Sequence, residues 1–180
     1  MSATPTLVLL PGLACDERLW QAQMPALPAA LAPRVSNAHS RHDRIEEMAA
    51  AVLREHAGPL VLCGASMGGM VAMDVARQAP ERVVGLALLG TSAQPESSET
   101  RQLRADAIEL FERGELLEVL EPNIAFAFHP RQAEDKALVQ HYLTIILEAG
   151  AQQLIRQNRR LMQRPHQRPH LPNLPRPVLL

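Results

Sequence analysis

Short apolar runs alternate along the chain with longer segments of helical periodicity. Three of these runs stop at Gly or at Pro-Gly and are typical of strands buried on both faces of a parallel sheet; they cover residues 6–10, 60–63 and 83–89. A weaker run at 34–40 and the beginning of another at 177–180 have the same character. Because helical segments separate the strands, the pattern predicts an α/β fold with a mainly parallel sheet flanked by helices.

Two helices are expected between these strands. Residues 43–56 carry apolar side chains at helical spacing, and Asp43 and Glu46 form a start that resembles a capping box. The second helix should begin just after Ser66 and end near Ala79, because a proline follows.

The segment after Gln94 has helical character and no strand signal. Its helices are expected at 96–121, 131–148 and 150–163, and the pattern predicts an insertion that lies on the sheet. The boundaries are expected at Gly114, Pro122, Pro130 and Gly150. The side chains of this insertion indicate either a pocket for an apolar acyl or alcohol group or simple packing of a lid on the sheet.

The tail of the chain, residues 164–177, holds five prolines and should not form a helix. We therefore divide the chain into a core at 1–93, a helical lid at 94–165 and a connector at 166–180 that begins a further core strand.

Composition and charge are those of a soluble globular protein. The chain has 180 residues, of which 47% are hydrophobic and 21% charged, and its formal net charge is −1. No apolar run approaches the roughly 20 residues that span a bilayer. The first apolar run has no basic segment before it, as a secretory signal would, so we expect a cytoplasmic protein with no membrane partner.

The Arg-rich end of the chain does not have the pattern of a nucleic-acid-binding segment. Residues 151–180 carry six Arg and no acidic residue, but the five aromatic residues of the chain all lie outside them. Since such segments usually interleave basic and aromatic side chains, no nucleic-acid partner is expected.

No cofactor or metal site is expected from the sequence. Cys15 and Cys63 are too few for a disulfide framework or a zinc site and are interpreted as small core residues. Gly12 stands alone after the first strand, where a nucleotide-binding loop would need several glycines.

Gly64-Ala65-Ser66-Met67-Gly68 is a G-x-S-x-G motif placed between a predicted strand and a predicted helix. In this context the serine stands on a sharp turn that exposes its hydroxyl, and Gly64 and Gly68 leave room for that turn. Ser66 is therefore the candidate nucleophile.

Two backbone N–H groups are candidates for an oxyanion hole. The Met67 N–H lies at the start of the helix, where free N–H groups and the helix dipole favour negative charge. The second donor is expected from the loop after the first strand. Pro11 has no N–H, and Gly12 permits a sharp turn, so the Leu13 N–H is the candidate.

Two segments resemble the first strand-loop and the nucleophile region of the α/β-hydrolase fold. They are residues 7–20 (LVLLPGLACDERLW) and 62–91 (LCGASMGGMVAMDVARQAPERVVGLALLGT). The similar group comprises small cofactor-free esterases, haloperoxidase-like and pimeloyl-ester-hydrolase-like enzymes, and Pro11 departs from the His that many members have there. The resemblance implies a serine hydrolase that cleaves a small carboxylic ester or thioester through an acyl-enzyme on Ser66.

The acid and the base of a catalytic triad are not found in the sequence. The family order is Ser, then Asp or Glu, then His, and the resemblance places the acid after the strand that begins at 177–180. The loop at 90–93 has no carboxylate. The histidine candidates are His39 and His42, after the weak second strand, and His129, at a lid turn; a packed or solvated side chain is the simpler interpretation of each.

We therefore expect a C-terminally truncated α/β-hydrolase whose last strands are missing. Two functions stay open at this point. Either the chain represents a serine hydrolase whose Asp and His belong to a full-length form, or it is a catalytically inactive remnant or protein-interaction fragment that exposes an unpaired sheet edge.

Overall fold

The computed structural model describes residues 4–173 and 177–180. Within them, five strands form one parallel sheet in the order β2-β1-β3-β4-β5. The strands are β1 (Thr6–Leu10), β2 (Arg34–Val35), β3 (Leu60–Ala65), β4 (Val83–Leu89) and β5 (Val178–Leu179). The structure confirms the predicted α/β fold with a parallel sheet.

Seven α-helices accompany the sheet in the described part of the chain. They are α1 (Ala38–Arg41), α2 (Ile45–Glu55), α3 (Met67–Gln78), α4 (Ser98–Glu112), α5 (Leu116–Ala127), α6 (Pro130–Ala133) and α7 (Lys136–Met162). Short 3₁₀ helices cover Glu17–Trp20, Met24–Ala26, Ala29–Leu31 and Arg168–Asn173.

The main core lies between the sheet and the helices α2 and α3. Val8 and Leu10 of β1 and Leu62 of β3 pack against buried side chains of both helices, such as Val52 and Val71. On the other face of the sheet, Leu7 and Leu9 pack with Trp20, but alternate residues of β3 are only half-buried. The prediction that this strand is buried on both faces is therefore wrong for one face.

The helices α4, α5 and α7 form a second core of their own, which we call the cap cluster. Its buried members are Ala14, Cys15, Ile108, Phe111, Leu120, Ile145, Ile146, Leu154 and Ile155. The apolar side chains of the insertion thus pack mainly against one another. Two members of the cap cluster, Ala14 and Cys15, belong to the loop after β1 and not to the insertion. The division of the chain at residues 93 and 94 stays a prediction.

Several element boundaries differ from the sequence prediction. β2 covers only Arg34–Val35, and α1 follows it where a strand was expected. The N-cap of α2 is Arg44, with no side-chain cap, so the expected capping box is absent there. The Asp43 carboxylate instead pairs with Arg160 at 2.6 Å. Asp43 therefore forms an ion pair with a residue far along the chain instead of capping α2.

One of the expected breaks in the insertion lies inside a helix. Pro122 is within α5, although it costs one backbone hydrogen bond there. Gly150, with φ 81° and ψ 164°, is not helical and divides α7 into two helical segments, so the break predicted there is confirmed. In the tail, Arg168–Asn173 forms a 3₁₀ helix, so the prediction of no helix is wrong there, and residues 174–176 lie outside the described residues.

Candidate active site

Ser66 occupies the turn between β3 and α3. Its backbone has φ 50° and ψ −115°, a conformation that a residue with a Cβ adopts only under strain of about 1–3 kcal/mol. The Ser66 N–H donates to the Leu89 carbonyl at 2.8 Å, which ties the turn to β4. The residue is exposed, so its hydroxyl is accessible.

The glycines around Ser66 stand where a side chain would not fit. A Cβ on Gly64 would overlap the backbone of Gly68, and a Cβ on Gly68 would overlap the carbonyl of Leu10. A Cβ on Gly69 would lie only 2.6 Å from Thr91 Cγ2. The close approach of α3 to β1 therefore depends on these missing side chains.

The loop after β1 borders Ser66. In the parallel pairing of β1 with β3, Leu10 is opposite Gly64, so both strands end at the same level. A Cβ on Gly12 would lie 3.5 Å from the Cβ of Ser66. No acceptor among the described residues takes the N–H of Leu13 or of Met67. Both amides thus keep the free donors that an oxyanion hole needs.

Ser66 opens into a cavity of about 450 Å³. Its wall comes from the loop after β4, the start of α4 and the segment just after α7, and includes Thr91, Glu96, Arg104 and Arg164. No histidine of the described residues lines it. Glu96 was not among the predicted site residues, because its burial results from contacts with Arg104 and Arg164 that form only in the folded chain.

Glu96 is held between two arginines and is not free to act as the acid of a triad. Its Oε1 lies 3.1 Å from Arg164 Nε and 3.3 Å from Arg104 Nη2, and its side chain is 3% exposed. Burial lowers the pKa of Arg164, and Arg104 lowers it further, whereas Glu96 raises it. The group therefore links the segment before α4, α4 itself and the segment just after α7.

The histidine candidates lie away from the cavity wall. His39 is part of α1 rather than a loop, is 3% exposed, and its Nε2 donates to the Cys15 carbonyl at 2.8 Å. His42 follows α1 and is half-buried. His129 caps α6, where its Nδ1 accepts from the Arg131 N–H at 3.3 Å. His129 therefore has a helix-capping role.

The free energy of unfolding is expected to fall as the pH drops below about 6.5. Burial lowers the pKa of His39 and of His56, so both are neutral in the folded chain and take up protons on unfolding. Their contribution is fully present above pH 6.5 and is lost as the pH falls through the lowered folded-state values. Urea midpoints between pH 7.5 and 5 should fall less steeply in His39→Gln; an unchanged slope would contradict this assignment.

Both thiols are protonated at neutral pH. Burial, with a smaller contribution from Asp16, raises the pKa of Cys15 to about 12, and burial also raises the pKa of Cys63. Neither is a reactive thiolate, in keeping with their interpretation as small packed residues.

Among the described residues, no group of three or more His, Cys, Asp and Glu is placed to hold a metal ion. Every helix there is too short or too polar to cross a bilayer.

A sequence-family model, described as a thioesterase domain, matches residues 14–173. The chain belongs to the thioesterase domain family. The chain is 39% identical over 94 residues to the pimeloyl-[acyl-carrier protein] methyl ester esterase of Aromatoleum aromaticum. The matched stretch covers 49% of this chain and 38% of that relative.

Solved structures share the fold of this thioesterase-domain chain over nearly its whole length. A thermophilic esterase from Thermogutta terrifontis, described as malate-bound, is 26% identical with a TM-score of 0.77, and the match covers 99% of this chain and 71% of that one. A hydrolase from Pseudomonas aeruginosa is 20% identical with a TM-score of 0.79, over 99% and 72% of the two chains. The expected resemblance to α/β-hydrolase esterases is thus confirmed.

Proposed function

We propose that this thioesterase-domain chain carries the nucleophile and the oxyanion hole of a serine hydrolase that cleaves a small carboxylic ester or thioester. The observation that carries the proposal is the placement of Ser66. It is exposed on a strained strand-to-helix turn, beside two backbone amides without protein acceptors, and it opens into a cavity. This combination supports a site for acyl transfer.

The reaction begins when the Ser66 hydroxyl attacks the acyl carbonyl and a base takes its proton. The negative charge that forms on the carbonyl oxygen is stabilised by the N–H groups of Leu13 and Met67. Loss of the alcohol or thiol leaves an acyl-enzyme on Ser66, and water then releases the acid. Because the described residues place no histidine at the cavity, we propose that a longer form of the protein supplies the Asp and His.

The substrate class is inferred from the family and one relative. The Aromatoleum protein is a methyl ester esterase for an acyl group on a carrier protein, and the family model is that of a thioesterase domain. We therefore propose an ester or thioester of a carboxylic acid as the substrate. The cavity can admit one small acyl group, since about 300 Å³ or more is typical of ligand sites.

Hydrolysis of p-nitrophenyl acetate, with added imidazole as a diffusible base, tests the role of Ser66. We expect slow turnover in the chain, within the roughly 10³ to 10⁴-fold acceleration that an oxyanion hole and binding alone support. Imidazole should raise this rate by replacing the missing base. The Ser66→Ala variant should show only the reaction of imidazole in solution, and it is the matched control because it removes one oxygen.

Equal rates in the chain and in Ser66→Ala would reject the hydrolase proposal for this chain. The alternative, a non-catalytic interaction fragment, is favoured by the edge strand β5, where Val178 is 43% and Leu179 65% exposed. An exposed strand edge can pair with a strand of another protein. Ser66-dependent turnover would reject that alternative as the sole function.

A further inference from the structure

The turn that carries the Leu13 amide is strained. The Cys15 N–H donates to the Gly12 carbonyl at 3.1 Å, so Leu13 and Ala14 are the two middle residues of a tight turn. Ala14 has φ 54°, in the left-handed region that favours glycine. Without support, Ala14 would relax to negative φ and change the direction of the chain next to Leu13.

Gln157 of α7 bonds to this turn across the molecule. Its Oε1 accepts from the Ala14 N–H at 2.6 Å, and its Nε2 donates to the His39 carbonyl at 3.1 Å. The side chain is only 1% exposed. An N–H can only donate and a carbonyl can only accept, so the two partners fix the orientation of the amide.

His39 closes the same set of bonds. Its Nε2 lies 2.8 Å from the Cys15 carbonyl, which accepts only, so this nitrogen carries the proton. The side chains of Gln157 and His39 therefore bond the backbone before the Ala14 α-carbon and after the Cys15 α-carbon, and Gln157 also bonds to the His39 backbone. Three hydrogen bonds join α7, α1 and the turn, and we call this group the loop clamp.

We propose that Gln157 and His39 are positioning residues that hold the Leu13 N–H at the oxyanion hole by keeping Ala14 in its strained conformation. The catalytic part of this inference rests on the proposed function. Misplacement of a reacting group by about 1 Å can lower a rate about 100-fold, so a small relaxation of the turn is sufficient to matter. Gln157 acts through the turn and does not touch the reacting atoms.

The loop clamp also makes the oxyanion loop depend on the cap. Gln157 lies on α7, and the preceding residue, Arg156, donates from Nη2 to the Ser40 carbonyl at 2.6 Å. Ala14 and Cys15 themselves pack in the cap cluster. A movement of α7 that breaks the Gln157 bonds therefore releases Ala14.

The test compares Gln157→Leu with the matched control Gln167→Leu in the full chain. Gln167 is also a buried glutamine, but its Nε2 donates to the Met70 carbonyl and it has no bond to the turn. In ¹H–¹⁵N spectra, Gln157→Leu should shift the Leu13 and Ala14 amide resonances and speed Ala14 hydrogen exchange about tenfold or more. Gln167→Leu should leave these two amides unchanged.

Turnover of p-nitrophenyl acetate supplies the second readout. Gln157→Leu should lower kcat about 10- to 100-fold and change KM less than about twofold, because the lost interaction acts on the transition state. Ala14→Gly in the Gln157→Leu background should recover part of kcat, since glycine accepts positive φ without strain. Should Gln157→Leu fail to fold, Gln157→Met, a flexible apolar side chain of similar length, replaces it and should give the same loss of kcat.

Unshifted Leu13 and Ala14 amides in Gln157→Leu would overturn the proposal, and so would an unchanged kcat in a chain with Ser66-dependent turnover. If the chain shows no such turnover, the proposed function fails instead. The amide resonances then still test whether Gln157 holds the turn. A shifted Leu13 resonance supports that role, and an unshifted one overturns it.

Discussion

Glu96→Gln is expected to lower the free energy of unfolding by about 3–5 kcal/mol, because it leaves two arginines in a partly buried site without their shared counter-ion. Glu96 contacts both Arg104 and Arg164, and the Arg164 side chain is only 8% exposed. The substitution keeps the size and shape of the side chain, so packing changes little. Urea denaturation at pH 7.5 measures the loss.

Glu115→Gln is the matched control for this prediction. Glu115 pairs with Arg113, and both side chains are largely solvent-exposed. Solvent screens such pairs, so this variant should leave the urea midpoint unchanged. Equal midpoints for Glu96→Gln and Glu115→Gln would show that the arginines around Glu96 are compensated by solvent.

Gly68→Ala is expected to destabilise the chain by more than about 3 kcal/mol or to prevent folding. The new methyl group would overlap the carbonyls of Leu10 and Pro11, and backbone cannot move aside as a side-chain tip can. Either α3 moves away from β1 or the loop after β1 shifts. Both changes separate Ser66 from the Leu13 amide, so any folded fraction should also lose its Ser66-dependent turnover.

Gly85→Ala provides the comparison for Gly68→Ala. Gly85 lies in β4, and a Cβ there would be 3.6 Å from Val61 Cγ1, an ordinary contact. The free energy of unfolding of Gly85→Ala should stay within about 1 kcal/mol of that of the original chain. It should rise if alanine lowers the conformational entropy of the unfolded chain. Thermal unfolding of the two variants side by side measures the difference; similar losses in both would contradict the steric explanation.

The parts of the fold that could be predicted are those encoded by neighbouring residues. The apolar runs at 6–10, 60–63 and 83–89 are strands, and the helix after Ser66 begins and ends within a residue of its prediction. Strand-to-helix order and the G-x-S-x-G spacing are local properties. They were sufficient to identify the fold and to name Ser66 as the candidate nucleophile.

The missed features depend on residues that are far apart in the chain. The Ala14 N–H and its acceptor Gln157 are separated by 143 positions, and the sequence around neither residue predicts this hydrogen bond. Glu96 and Arg164 likewise meet only after the insertion has folded. Pro122 was expected to end a helix, but α5 continues through it and buries Leu120 in the cap cluster. Tertiary packing outweighed the local preference of proline.

The pairing of β4 with β5 has a consequence for the order of folding. Leu86 is opposite Val178, so the pairing of β5 with β4 closes a long chain loop that contains the whole cap. The entropy of closing a loop grows with its length, whereas β1, β3 and β4 are joined by shorter connections. We therefore expect the four-stranded part of the sheet, with its serine turn, to form early. The edge strand should be the last to join and the first to detach.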